Sequence, residues 1–153
     1  MTPLFIGSDH AGFDLKERIR KHLRDQGRNI TDVGTYSTES VDYPDYSRTV
    51  CEAVLEQNGF GILICGTGIG MSMAANRIPG IRAALCGSSF QARACREHND
   101  ANVLCIGERV TGPGIALELV DIFLTTPFAA GRHTRRVALF DPEGADHSPC
   151  VLP

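Results

Sequence analysis

The chain has no apolar run approaching the ~20 residues that a membrane-spanning helix needs, so no such span is expected. It also lacks an excess of positive charge. Fifteen Lys and Arg stand against 18 Asp and Glu, for a net charge of −3. That balance argues against a general affinity for nucleic acid or acidic membranes, so any bound anion must be gripped locally. The opening stretch "MTPLFIGSDHAG" has no basic segment leading into a long apolar one. It does not read as a signal peptide, and a cytoplasmic setting is expected. No internal repeat, low-complexity block or linker interrupts the chain. One domain over residues 1–140 is expected, with 141–153 as a loose tail.

What is present is enough for one core: 153 residues, 42% of them hydrophobic. The six cysteines lie in apolar segments, which favours reduced thiols over a disulfide framework. Short apolar runs alternate with helical patterns. Strands are expected at 3–8, 29–35, 60–65, 81–86 and 102–107. Leu15, Ile19 and Leu23 recur every four residues along a helix that stops near Gly27. Pro44 opens a second helix with Val50, Val54 and Leu55 inward. Further helices are expected after the glycines at 66–70, over 88–99, around Ile115, Leu119 and Ile122, and over 131–141. Alternation of this kind means an α/β fold: a Rossmann-like three-layer sandwich around a five-stranded parallel sheet. Ligands of such sheets bind beyond the carboxyl ends of the strands. Those ends carry Ser8-Asp9-His10, Cys65-Gly66-Thr67, Cys86-Gly87-Ser88 and Gly107-Glu108-Arg109.

The segment "ILICGTGIGMSMAANR" (62–77) sets a cysteine before three alternating glycines and a helix start. A dinucleotide fingerprint fails, because Gly70 is followed by Met71. A nucleotide-binding loop fails for want of a Gly-Lys-Ser/Thr ending. A cysteine phosphatase loop would need arginine where Met71 stands. What survives is a glycine turn presenting several N–H groups to an anion or oxyanion. The plainer alternative is a tight turn with no ligand. Cys65 could be a nucleophile or a base, since a helix start favours its thiolate; it could equally be inert packing. Asp9 and His10 could form a simple cap. His98 could be a solvated helix end. Cys95 and His98 have metal-like spacing, but no second pair follows. Arg132, Arg135 and Arg136 fit either a solvated face or local phosphate capture.

Taken together, "GSDHAGFDLK", "DVGTYSTESVDYPDYS", "GILICGTGIGMSMAANRIPGIRAA", "REHNDANVLCIGERV" and "AGRHTRRV" resemble the ribose-5-phosphate isomerase B family. Its relatives are the allose-6-phosphate and galactose-6-phosphate isomerases. The resemblance runs from residue 4 to about 140. It implies aldose–ketose isomerisation of a small-molecule sugar phosphate through ring opening and an enediolate, with no metal and no cofactor. By the motif match Cys65 is the base and His98 the ring-opening acid. Gly66, Thr67, Gly68, Ile69 and Gly70 would hold the enediolate oxygen, the Thr67 hydroxyl included. Asn99 contacts the substrate. Asp9 and His10 match residues at the sugar and phosphate ends, and Tyr43 an aromatic that closes over the sugar. Arg109, Arg132 and Arg136 match the phosphate contacts, with less support for His133 and Arg135. The resemblance also implies a homodimer, or a tetramer made of two, with each site shared between subunits. One branch of the family replaces the cysteine by a glutamate early in the next helix; Met71 stands there, so this chain resembles the cysteine branch. Ala130 replaces one glycine of the usual "GGRH". Three alternatives stay open: another sugar phosphate (allose 6-phosphate or a tetrose phosphate), a non-catalytic sugar-phosphate sensor, and a thiol hydrolase.

Overall fold

A computed structural model describes residues 2–140. The expected helix at 131–141 is thus covered to Phe140, and the tail 141–153 lies outside the described residues. Five strands form one parallel sheet: β1 (Leu4–Ser8), β2 (Thr31–Asp32), β3 (Phe60–Cys65), β4 (Ala83–Leu85) and β5 (Val103–Gly107). Their spatial order is β2-β1-β3-β5-β4. The helices are α1 (Phe13–Asp25), α2 (Tyr43–Glu56), α3 (Ile69–Ala75), α4 (Ser89–Asn99), α5 (Pro113–Thr125) and α6 (Arg132–Val137).

Alternation along the strands sorts the core into two layers. Leu4, Ile6, Ile62, Ile64, Leu104 and Ile106 face α1, α4 and α5, meeting Leu15, Ile19, Leu119 and Phe123. Phe5, Leu63, Cys65, Val103 and Cys105 face α2 and α3, meeting Val50, Val54 and Met71. Both faces of β3 are therefore covered, which is why "FGILIC" is apolar without a break. Truncating a fully buried residue such as Ile62 to alanine costs about 2–5 kcal/mol.

The α/β architecture matches the expectation, and the differences lie at margins. The regular second strand has two residues instead of seven, although the chain stays beside β1 as far as Thr35: Val33 N donates to Ile6 O at 3.0 Å and Thr35 N to Ser8 O at 2.8 Å, while the Asp32 carboxylate accepts from Gly34 N at 2.9 Å. The fourth strand spans three residues instead of six, and just before it the Arg82 backbone N–H donates to the Asn102 side chain at 2.8 Å instead of to a strand carbonyl. Leu55 is 42% exposed, since the inward stripe of α2 runs through Ser47, Val50, Cys51 and Val54. Ile115 is likewise exposed, for the stripe of α5 starts at Ala116. One inward residue on α1 was not expected. Lys16 is fully buried, its Nζ 2.6 Å from Asp32 and 5.5 and 5.4 Å from the Phe13 and Tyr36 ring centroids.

Register decides what the fold presents. Ser8 pairs with Ile64, and Cys65 with Gly107, so β1, β3 and β5 end at one edge. The chain runs outward from β1 to β2, then crosses back to β3. The crevice between the ends of β1 and β3 is thus the switch point where such sheets bind ligands.

Candidate active site and family membership

At that crevice the Asp9 carboxylate accepts from the N–H groups of Ala11 and Gly12, at 2.9 and 3.1 Å. This turns the chain sharply into α1. His10 Nδ1 accepts from Val41 N at 3.2 Å, leaving Nε2 as the remaining ring position for a ligand.

Cys65 closes β3 and is only 5% exposed. Its Sγ accepts from Gly68 N at 3.1 Å. A local N–H, rather than the dipole of the seven-residue α3, therefore faces the thiol. Gly68 has φ +77°, a left-handed turn that aims this N–H inward and that side chains resist. Thr67 Oγ1 accepts from Ile69 N at 3.3 Å. Tyr43 lies over Gly70, with ring atoms 2.9 Å from where a Cβ would stand, and the Arg109 side chain lies 3.5 Å from the same point on Gly66. Gly107 is pressed against the corner from β5: a Cβ there would stand 2.5 Å from the Thr67 carbonyl carbon. Met71 points into the core and is fully buried. The edge thus gathers Asp9, His10, Tyr43, Cys65, Gly66, Thr67, Gly68, Ile69, Gly70 and Arg109 around a thiol and a run of N–H groups. Such a corner can move a proton and hold the charge this creates.

The remaining candidates lie elsewhere. His98 and Asn99 end α4, just before the chain enters β5 at Val103. Val103 is level with Gly61 and not with Cys65. Four residues at ~3.3 Å each put about 13 Å along the strands between the two levels. The Ala129 N–H donates to Glu97 O at 3.0 Å, bringing the segment before α6 against this helix end. The His98 and His133 rings then stack, with centroids 4.5 Å apart and planes 15° apart. Arg132 and Arg136 flank His133 on the same short helix and are exposed. Loss of solvation, then the nearby charges of His98, Arg132 and Arg136, hold the His133 imidazole below its ordinary range. His133 had weak support from sequence, where its neighbour in space, 35 positions earlier, could not be seen. A cleft of about 530 Å³ opens on this side, lined by Asn76, Arg82, Cys95, Asn99 and Phe140. Among the described residues no cluster of three or more His, Cys, Asp or Glu is placed to hold a metal ion. No helix there is long and apolar enough to cross a membrane.

A family model described as Ribose/Galactose Isomerase matches residues 4–140. The chain belongs to this family. Ribose-5-phosphate isomerase B of Escherichia coli K12 is 47% identical over 139 residues, covering 90% of this chain and 93% of that one. The ribose-5-phosphate isomerase B structure from Clostridium thermocellum superposes with a TM-score of 0.88 at 51% identity, over 90% of this chain and 94% of that one. Its counterpart from Thermotoga maritima gives 0.89, also at 51% identity, over 92% and 97%. As a member of the family the chain is a sugar-phosphate isomerase with the family's α/β fold.

Proposed function

We propose that this isomerase interconverts ribose 5-phosphate and ribulose 5-phosphate, with Cys65 as the base. The observation that carries the reading is the Cys65 thiol beside the Gly68 N–H at the switch point, 3.1 Å apart. The thiolate takes the C2 proton of the open-chain aldose and an enediolate forms with its charge on O1; the proton returns to C1 while the O2 hydroxyl proton passes to O1, leaving the ketone at C2. The N–H groups of Gly66 to Gly70 and the Thr67 hydroxyl hold the enediolate oxygen; one such donor is worth about 3 kcal/mol of barrier. Asp9 and His10 contact the sugar and phosphate ends of the substrate and Tyr43 covers the sugar.

His98 supplies the acid that opens the ring, Asn99 steadies the sugar, and Arg109, Arg132 and Arg136 pair with the phosphate. His98 and Cys65 of one chain stand at opposite edges of the sheet, so the site is completed by a second copy. Cys65, Arg109 and their neighbours come from one subunit, and His98, Asn99, Arg132 and Arg136 from its partner. Exposed Ile69 and Met73 on α3, with exposed Leu85, whose side chain lies against Gly68, give an apolar surface at the glycine corner for that partner. The reading is therefore a homodimer, or a tetramer built from two. Five free cysteines among the described residues suit a cytoplasmic, thiol-reducing setting.

Kinetics of the purified protein on ribose 5-phosphate, without added metal, test the substrate. Turnover near ten per second or more, in the ordinary range for enzymes, is the expected result. Preference for a six- or four-carbon phosphate in kcat/KM would move the assignment within the family, since one carbon shifts selectivity roughly 10–200-fold.

A further inference from the structure

His98 and Asn99 are the last two residues of a helix whose end is held with unusual care. The next residue, Asp100, takes up φ +47° and ψ +44°, a left-handed turn that suits Asp and Asn better than most side chains. Its carboxylate is buried and shared by two arginines. Arg96 Nη1 donates to Oδ1 at 2.8 Å, and Arg82 Nη2 to Oδ2 at 3.1 Å. The same arginines grip the backbone around it: Arg82 Nε donates to Asp100 O at 2.8 Å, and Arg96 Nη1 to Ala101 O at 2.6 Å. Arg96 is fully buried, its guanidinium 4.8 Å from the Phe60 ring centroid and 5.7 Å from that of Phe123. Arg82 is fixed from the other side, where its N–H donates to Asn102 Oδ1 at 2.8 Å.

We infer that Asp100, clamped by Arg82 and Arg96, is a positioning residue that aims His98 and Asn99 at the sugar ring. Stability alone is a poor reason for this arrangement. Two guanidiniums on one carboxylate leave an excess of buried positive charge, and Arg96 Nε and Nη2 lie buried with no hydrogen-bond partner among the described residues. Apolar replacements of buried ion pairs are often as stable or more so, whereas fixed geometry is what such clusters can supply. Here the geometry fixed is the last turn of α4. The turn leaves Asn99 lining the cleft and His98 stacked on His133.

The inference rests on the proposed ribose 5-phosphate reading and is tested separately from it. Ribulose 5-phosphate has no ring form, because its 5-oxygen is esterified. Exchange of its C1 hydrogen with deuterated solvent thus reports proton transfer without ring opening. In Asp100→Asn that exchange should stay within about threefold of the parent. Conversion of ribose 5-phosphate should lose roughly 10–100-fold in kcat, as expected for a displaced acid. Arg82→Gln, on the rim of the clamp, should show the same split to a smaller degree. Equal loss of exchange and isomerisation in both variants would overturn the inference and leave the clamp purely structural, as would no loss of either. A parent enzyme that neither exchanges nor isomerises these substrates would overturn the functional reading, and this inference with it.

Discussion

The two edges of the sheet solve the same problem, fixing a proposed catalytic group, with different materials. At the carboxyl edge the fixing is done by backbone. A left-handed Gly68 aims an N–H at the Cys65 thiol, while Asp9 pins the adjacent turn through two more N–H groups. At the amino edge it is done by side chains, with buried arginines beneath His98 and Asn99 and an imidazole stacked on top. Backbone placement leaves no room for a side chain at Gly68 and little at Gly70 but needs few special side chains. Side-chain placement spreads the task over residues far apart in sequence.

The sharpest test of the comparison is to break one edge in each of two chains. Cys65→Ala and His98→Asn should each be inactive as pure proteins, with substrate binding largely kept in the first. If the edges meet across a dimer, mixing the two after unfolding and refolding should restore activity. Half of the dimers become hybrids with one whole site of two, or about a quarter of wild-type activity. No recovery would mean that each chain builds its site alone.

Next in size is Gly68→Ala. The left-handed turn costs about 1–2 kcal/mol for a side chain. The new Cβ would also stand 2.5 Å from Leu85 Cδ1. A lowered melting temperature together with a large loss of kcat is expected. A variant as active as the parent would show that this turn is not needed to aim the N–H.

A smaller effect concerns the other buried thiols. Burial pushes the Cys51 thiol up to about 12 and that of Cys105 well above its ordinary value. Since the folded state resists ionising them, stability is complete below the ordinary thiol range and declines as pH rises from about 9 toward 12. Melting temperatures followed across that window should fall, and alkylation at pH 8.5 should spare both residues. Early labelling of Cys51 would contradict its burial. The smallest effect is at the other edge: His98→Asn removes one of the charges facing His133. The His133 titration midpoint, read by NMR, should rise; an unchanged midpoint would mean that desolvation and the two arginines set it without His98.

The sequence made one of these edges far easier to read than the other. Cys65 and the alternating glycines suggest chemistry by themselves, because a turn starved of side chains is informative wherever it occurs. His98 does not, for a histidine at the polar end of a helix is ordinary, and only the family resemblance singled it out. The strands and the inward residues of α1 followed from periodicity. Leu55, Ile115 and the short second strand did not, since each depends on contacts set by tertiary packing. Lys16 was invisible for a similar reason: its partner Asp32 is 16 positions away. The separation of the two edges, in contrast, was implicit in the alternation itself. A helix that returns from one end of a parallel sheet must finish at the other, and His98 finishes one.

Gly107 has a consequence of its own for how this protein can change over time. It carries no reactive atom, yet the Thr67 backbone leaves it no room for a methyl group. A mutation there would enter through β5 and yet register as damage to the corner after β3. The two segments can drift only in concert, so an observer who ranks positions by their intolerance would place this silent glycine alongside Cys65, its partner in the strand register.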